Sequence, residues 1–193
     1  MRVGVLALQG SFAEHAWALR AAGASAVLVR LPADMEGLAG LIVPGGESTT
    51  IGKLLVNSGL LEPLRAAVKN GLPVYGTCAG MILLARDIGG GDQPLIGVMN
   101  ITVKRNAFGR QLDSFEESLN VPILGSEPFR GVFIRAPLIE KTGAGVAVLA
   151  TLPGGRVVAA QQGKLLATAF HPELTDDSRI HRYFLNMIDG SAA

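Results

Sequence analysis

Residues 72–85 read LPVYGTCAGMILLA and contain the only cysteine of the 193-residue chain. The apolar residues at the start of this stretch predict a buried strand, and the helix-forming residues after Gly80 predict a helix. Gly76 and Gly80 bracket Cys78, a pattern typical of a nucleophile elbow, in which a sharp strand-to-helix turn presents one reactive side chain. Glycine suits both positions because a Cβ would clash in the tight turn or block the approach of a substrate.

A single cysteine also has a second interpretation. Free cysteine is usually a small buried hydrophobic residue with no chemical role. The glycine frame around Cys78 favours a nucleophile, but the rest of the chain has to decide between the two.

Length and composition predict one globular domain over residues 1–193. Hydrophobic residues make up 49% of the chain and charged residues 17%, which is typical of a folded protein with a sizeable core. No apolar run reaches the roughly 18 residues of a membrane span, and the apolar run near the N-terminus is too short for a secretory signal. One cysteine excludes an internal disulfide and is compatible with a reducing compartment, so a cytoplasmic location is expected.

Charge and ligand counts exclude other function classes. The formal net charge is +1, so no basic field is available to capture nucleic acid. Three histidines and one cysteine argue against a structural zinc site, and neither a metal nor another cofactor is expected.

The first half of the chain alternates between strand and helix patterns. This alternation predicts βαβ units, a parallel sheet and an α/β fold. Strands are expected at 3–8, 26–31, 38–43 and 72–75, and helices at 12–22, 48–55, 60–69 and 81–86. Ser48 or Thr49 is expected to cap the helix that follows residue 47.

The second half of the chain has hairpin signals instead. Strands are expected at 96–104, 131–134, 146–152, 156–161 and 165–170, the last three antiparallel and separated by glycine-containing turns. The polar stretch 105–117 is interpreted as a loop with functional potential. Asp176 or Asp177 is expected to cap a final helix at 178–188.

His171 and Glu173 follow the last predicted strand, at the edge where open α/β sheets bind ligands. Residues two apart in an extended segment point the same way, so Glu173 can orient the His171 imidazole. With Cys78 they make a base, an orienting carboxylate and a nucleophile. Alone, the His-Pro-Glu sequence favours a polar turn. Its combination with an elbow cysteine favours a triad.

The glycine pair Gly45–Gly46 also follows a predicted strand. Its backbone N–H groups carry no obstructing side chains, so together with the amide of Ala79 it can form an oxyanion hole. The alternative is an ordinary turn at the start of a helix. A phosphate-binding loop is excluded by spacing, because five residues separate Gly46 from Gly52 where the Walker pattern has four, and Lys53 is followed by leucine.

Three motifs in this order resemble the class I (triad) glutamine amidotransferases: PGGES at 44–48, GTCAG at 76–80 and FHPE at 170–173. Five further stretches resemble, more narrowly, the glutaminase subunit of pyridoxal phosphate synthase. They are VLALQG at 5–10, GGESTT at 45–50, RNAFGRQ at 105–111, GVFIRAP at 131–137 and HPELT at 171–175. The resemblance extends from about residue 4 to residue 185.

This resemblance implies a three-layer, flavodoxin-like fold with a mostly parallel central sheet and an antiparallel extension. It implies hydrolysis of L-glutamine to glutamate and ammonia by Cys78, His171 and Glu173, with the oxyanion held by Gly46 and Ala79. The residues implied to border glutamine are Gly45, Gly46, Glu47, Arg105, Ile134 and Arg135. The two arginines could serve the substrate carboxylate, although a surface or interface role is their alternative.

The resemblance further implies a partner. Ammonia would pass through a tunnel to a separate barrel-shaped synthase subunit that makes pyridoxal 5'-phosphate, within a hetero-oligomer. Docking of that subunit would activate the glutaminase by reorienting a peptide in Gly45–Gly46, which glycine makes inexpensive.

Two other hypotheses stay open at this point. One is a different α/β protein with a cysteine elbow, but such proteins place an acid at the end of the first strand, where Gln9 and Gly10 stand. The other is a non-catalytic subunit, against which the intact triad residues argue. The remaining histidines, His15 and His181, are predicted to lie on helix surfaces, and Trp17 is predicted to pack or to contribute to the partner interface.

Overall fold

The computed structural model describes residues 1–105, 107 and 114–191. The strands are β1 (Arg2–Leu6), β2 (Ser25–Val29), β3 (Gly40–Val43), β4 (Val74–Thr77), β5 (Ala85–Asp87), β6 (Met99–Lys104), β7 (Ser114–Leu119), β8 (Phe129–Ile134), β9 (Leu138–Thr142), β10 (Ala147–Leu152), β11 (Arg156–Gln162) and β12 (Leu165–Thr168). The helices are α1 (Phe12–Ala21), α2 (Ser48–Asn57), α3 (Leu61–Lys69), α4 (Ala79–Leu84) and α5 (Arg179–Asp189), with short 3-10 helices at Pro32–Met35, Pro122–Leu124 and Pro172–Leu174.

A ten-stranded sheet runs through the molecule in the order β2-β1-β3-β4-β12-β11-β9-β6-β5, with β10 paired to β11. Five strands at one end of this sheet pair with one another in parallel: β2, β1, β3, β4 and β12. Their order is that of flavodoxin-like sheets. From β12 onward β11, β10, β9 and β6 pair antiparallel. The structure therefore confirms the predicted α/β fold, a mostly parallel sheet with an antiparallel extension.

The central parallel strands are covered on both faces. Every residue of β3, β4 and β12 is buried, which explains why these strands are short apolar runs rather than alternating ones. The carboxyl ends of β1, β3, β4 and β12 meet at one edge of the sheet, and the predicted site residues follow these ends. In the described part of the chain, no helix is long and apolar enough to cross a membrane.

Several boundaries differ from the prediction. The elbow helix α4 ends at Leu84, and the chain turns extended at Ala85 because β5 pairs with β6. The stretch 105–117, interpreted as a loop, contains the start of β7, which pairs antiparallel with β8 in a separate two-stranded sheet. Ser114, Glu116 and Ser118 occupy the exposed positions of β7, and Glu117 interrupts the apolar positions between them, which conceals the alternation. Residues 106 and 108–113 of that stretch lie outside the described residues. β9 was not predicted.

The helix caps also differ in part. Glu47, not Ser48 or Thr49, caps α2: its carboxylate accepts hydrogen bonds from the backbone N–H groups of Thr49 (3.1 Å) and Thr50 (2.7 Å). A carboxylate does this well because it faces the positive end of the helix dipole. At α5 the N-cap is Ser178, not Asp176 or Asp177, and its side chain makes no cap hydrogen bond. Asp177, one residue earlier, accepts the N–H of Arg179 at 3.0 Å.

Candidate active site

Cys78 lies at a sharp turn between β4 and α4. Its φ is +48°, a left-handed conformation that is uncommon for a residue with a side chain and that needs support from its surroundings. The glycines on either side permit this turn by close packing. A Cβ on Gly76 would lie 2.6 Å from the carbonyl carbon of Gly80, and one on Gly80 would collide with the carbonyl group of Val43. The turn is thus built as the elbow pattern predicts.

Backbone contacts hold the elbow in place. The N–H of Cys78 donates to the carbonyl of Thr168 at 2.8 Å, and its Sγ lies 3.9 Å from the carbonyl oxygen of Ile134. Only 7% of Cys78 is exposed. Ala79 is the first residue of α4, where a backbone N–H has no partner inside the helix. A group bound beside the sulfur therefore meets a free N–H.

His171 and Glu173 come from the segment after β12. The His171 N–H donates to the carbonyl of Val132 at 2.8 Å, and Pro172 begins a short 3-10 helix that turns Glu173 back toward the ring. His171 Nδ1 lies 2.7 Å from Glu173 Oε1. Ser11, at the end of the first βα turn, donates its hydroxyl to the same oxygen at 2.6 Å.

The electrostatics of this pair favour charge separation. Burial lowers the pKa of His171, but hydrogen bonds and charges from Cys78 and Glu173 outweigh burial and raise that pKa to about 10. Burial raises the pKa of Glu173, while electrostatic attraction to the His15 ring, the hydrogen bond and charge of His171, and the hydrogen bond of Ser11 together lower it to about 2. Glu173 is thus ionised and His171 readily holds a proton.

Gly45 and Gly46 lie against the cysteine and the histidine. A Cβ on Gly45 would overlap the imidazole of His171, which explains the glycine there. The Gly45 carbonyl accepts a hydrogen bond from the Ser11 N–H at 3.1 Å, and a Cβ on Gly10 would collide with that carbonyl. The first βα turn therefore sets the present orientation of the 45–46 peptide.

Glu47 follows the glycine pair at the mouth of the site. Its N–H donates to Gln9 Oε1 at 2.8 Å, while its carboxylate caps α2 as described. Hydrogen bonds from the Thr50 side chain and from the α2 backbone lower the pKa of Glu47, so the group is a carboxylate.

The two predicted arginines lie across the mouth. Arg105 donates from Nη1 to Gln93 Oε1 at 3.0 Å, and the same oxygen accepts hydrogen bonds from Ser48 and Thr49. Arg135 has a φ of +43°, a second left-handed residue beside the site. Both arginines are therefore placed by local structure that the sequence motifs do not reveal.

A cavity of about 370 Å³ joins these features. Its walls contain the predicted residues except Gly45 and Glu173, which lie directly behind His171. The lining residues are Gln9, Gly46, Glu47, Ser48, Cys78, Ala79, Ile82, Arg105, Ile134, Arg135 and His171.

Comparisons with known proteins agree with this arrangement. The model of the SNO glutamine amidotransferase family matches residues 5–190. The chain belongs to this family. It is 61% identical over 97% of its length to the pyridoxal 5'-phosphate synthase subunit PdxT of Moorella thermoacetica, all of which is covered. It is 62% identical over 96% of its length to the protein of the same name from Pelotomaculum thermopropionicum, with 94% of that protein covered.

A solved structure of a glutamine amidotransferase is similar as well. It superposes with a TM-score of 0.92 at 54% identity, covering 97% of this chain and 98% of the other. Together with the family match, this similarity confirms the predicted class I glutamine amidotransferase fold.

One prediction about the histidines of this amidotransferase is wrong. His15 and His181 are not on the surface: they are 0% and 1% exposed. His15 faces Glu173. Its helical spacing from Phe12 and Leu19 places it on the buried face of α1, so the sequence pattern could have predicted this burial. Trp17 is 61% exposed, which contradicts the packing alternative, while its contribution to a partner interface stays a prediction. Ser11 was missed because only the tertiary structure brings it to Glu173.

Proposed function

We propose that this chain hydrolyses L-glutamine to L-glutamate and ammonia, and that it supplies the ammonia to a pyridoxal 5'-phosphate synthase subunit. The observation that carries the proposal is the placement of an elbow cysteine, a His–Glu pair and a glycine-pair loop around one cavity. The proposal treats residues 1–193 as one glutaminase domain, which the 2.6 Å contact between Ser11 and Glu173 supports across 162 residues of sequence.

The first step forms a thioester. His171 takes the Cys78 proton, and the sulfur attacks the side-chain amide carbon of glutamine. Glu173 stabilises the resulting imidazolium and keeps Nδ1 of His171 turned toward itself, so that Nε2 serves the reaction. When the tetrahedral intermediate collapses, His171 gives its proton to the departing ammonia. Water then attacks the thioester with His171 as base, releasing glutamate and the thiol.

The oxyanion of each tetrahedral intermediate is held by the N–H groups of Gly46 and Ala79. The position of Ala79 supports this role. It is the first residue of α4, beside Cys78, so its N–H has no acceptor inside the helix. A donor of this kind is worth about 3 kcal/mol of transition-state stabilisation.

Glutamine lies between the elbow and the loops at the mouth. The free amino acid carries an ammonium and a carboxylate, so the site needs both signs of charge. Glu47 suits the ammonium, and Arg105 and Arg135 suit the carboxylate. Gly45, Gly46 and Ile134 shape the space around the amide.

The partner follows from the relatives, whose name calls them subunits of a synthase. We infer a hetero-oligomer with a barrel-shaped synthase subunit, into which ammonia passes through a tunnel. A free thiol nucleophile works in a reducing compartment, which supports the predicted cytoplasmic location.

We infer that docking of the partner turns the 45–46 peptide. The described residues contain no cis peptide bond, and a trans peptide points its C=O and N–H in opposite directions. The hydrogen bond from the Ser11 N–H to the Gly45 carbonyl therefore also sets the direction of the Gly46 N–H. Reorientation breaks this one bond and needs a flexible backbone, which two glycines provide.

The test is glutamate release from glutamine. The native chain is assayed alone and with the synthase subunit, beside the variants Cys78→Ala and Arg86→Ala, the latter an exposed residue outside the cavity. We expect release that depends on the partner, none from Cys78→Ala, and native rates from Arg86→Ala. No release from the native complex contradicts the proposed function, and release by Cys78→Ala contradicts the proposed nucleophile.

A further inference from the structure

A pair of buried histidines lies behind the triad and has no part in the mechanism above. His15 Nδ1 is 3.0 Å from His181 Nε2, and His15 Nε2 is 3.0 Å from Thr77 Oγ1. The same Nε2 lies 3.3 Å from Glu173 Oε2. His15 thus contacts both the triad carboxylate and the residue before the nucleophile.

The two oxygens of Glu173 have different surroundings. Oε1 accepts well-formed hydrogen bonds from Ser11 and His171. Oε2 makes no aligned hydrogen bond with any described residue, and His15 Nε2 is the polar group that approaches it. A buried carboxylate oxygen without a nearby donor carries a large desolvation cost, so this approach matters for the carboxylate.

The contacts determine which nitrogens carry protons. A bare His15 Nε2 would place a lone pair against the ionised Oε2, which is repulsive, so Nε2 carries hydrogen. His15 Nδ1 is then the acceptor, and His181 Nε2 donates to it. His181 Nδ1 is left as a bare nitrogen, and it has no partner among the described residues. Protonating it would bury an unpaired N–H. His181 Nε2–H therefore donates to His15, and His15 Nε2–H donates to Thr77 Oγ1 with Glu173 Oε2 beside it at 3.3 Å.

Burial keeps this arrangement neutral. It lowers the pKa of His15 despite the opposing charge of Glu173, and it lowers the pKa of His181 to about 3. The titratable groups that act on the two rings are Glu173, His171 and Glu14, with the Tyr75 ring packed edge-on against both imidazoles.

We propose that His15 is a positioning residue of the glutaminase. Its Nε2–H, which donates to Thr77 Oγ1, lies 3.3 Å from Oε2 of Glu173 and stabilises that oxygen electrostatically, so that Oε1 stays aligned with His171. His181 selects the required tautomer of His15. The proposal rests on the proposed function. His15 touches no substrate atom and acts through Glu173.

The first test uses the chain alone, because Cys78 is its only thiol. Iodoacetamide alkylates Cys78 when the sulfur displaces iodide, and the rate is followed from pH 4 to 9. In His15→Leu we expect alkylation at pH 7 to slow about tenfold or more. The acid limb of the profile moves to higher pH, because a misaligned Glu173 supports the His171 imidazolium less.

Two variants separate positioning from folding. His15→Gln keeps an N–H donor near the place of His15 Nε2, and we expect it to restore most of the native rate. Leu19→Ala removes a fully buried side chain one turn later on α1. It lowers the melting temperature as a folding control, with the native alkylation profile retained.

The second test measures glutaminase kinetics in the complex with the synthase subunit. For His15→Leu we expect kcat to fall about tenfold to hundredfold, with KM for glutamine within twofold of native. Native alkylation rates in His15→Leu, or losses in both His15 variants that follow only their melting temperatures, overturn the proposal. If the native complex releases no glutamate, the proposed function fails, while the alkylation profile still decides the role of His15.

Discussion

The two walls of the cavity are built differently. The buried wall is formed by Cys78 and His171 with Glu173 behind them, and each of the three is less than a tenth exposed. The backbone N–H groups of Cys78 and His171 donate to carbonyls of β12 and β8. The loop wall consists of Glu47, Arg105 and Arg135, which lie on connections and are all largely exposed. In the proposed function, the reacting groups are therefore held inside the chain, while the groups proposed to bind glutamine lie on exposed connections.

The strongest way to break this comparison is to remove the charge from the buried wall. Glu173→Gln keeps the shape of the side chain but offers an N–H to His171 Nδ1, so the ring takes the wrong tautomer. We expect kcat in the complex to fall by about 10²–10⁴-fold with little change in KM. Steady-state kinetics measure this, and a melting curve close to native excludes misfolding. A kcat within tenfold of native would mean that the buried wall is not a triad.

Gly45→Ala tests how tightly the buried wall is packed. The added methyl overlaps the His171 ring, and a displaced catalytic ring costs on the order of 10²-fold in kcat. Gly4→Ala is the matched control, because its Cβ meets the side chains of Leu38 and Leu41 far from the site. Both variants should lose stability, but only Gly45→Ala should lose kcat. Equal kinetic effects contradict this packing.

The pH dependence of stability is set by histidines behind the buried wall. His181 has a folded pKa of about 3 against 6.5 for the free side chain, so the unfolded chain binds a proton that the folded chain refuses. The contribution of His181 to the free energy of unfolding is present above pH 6.5 and is lost as the pH falls. The loss from His181 alone is about 2 kcal/mol at pH 5. His15 acts in the same direction, and Glu173 adds to the loss below its unfolded value of 4.5.

Urea unfolding at pH 7 and pH 5 measures this difference. In His181→Leu the loss between the two pH values should be smaller than in the native chain, whatever the variant's stability at pH 7. An identical loss would show that His181 does not resist protonation in the fold. His171 contributes in the opposite range: its folded pKa is raised to about 10, so its stabilisation is lost as the pH rises from 6.5 toward 10.

The loop wall should give the smallest effects, mainly on binding. Arg105→Ala removes one carboxylate contact, and we expect KM for glutamine to rise about tenfold with kcat nearly unchanged. Gln93→Ala frees the Arg105 guanidinium without removing it, so its effect should be of the same kind but smaller. A fall in kcat without a change in KM would move Arg105 from substrate binding to the chemical step.

Much of the fold followed from local patterns. The parallel strands are short apolar runs between helices, and these were predicted close to their observed bounds. The strand β7 was missed because its exposed face is polar, and α2 is capped by Glu47 because a longer carboxylate reaches two N–H groups at once. Neither feature has a distinctive local signal.

The sequence by itself determined the α/β class, the cysteine elbow, the glycine pair and the His-Pro-Glu segment. These depend on backbone geometry and on neighbours a few residues away. Only the tertiary structure decided that Ser11 and His15 reach Glu173 and that His181 reaches His15. These contacts join residues more than 150 positions apart, and burial at these positions changes the protonation state that a polar side chain prefers. A helix histidine, ordinarily exposed and titrating near neutral pH, becomes a neutral donor when the fold buries it beside a carboxylate.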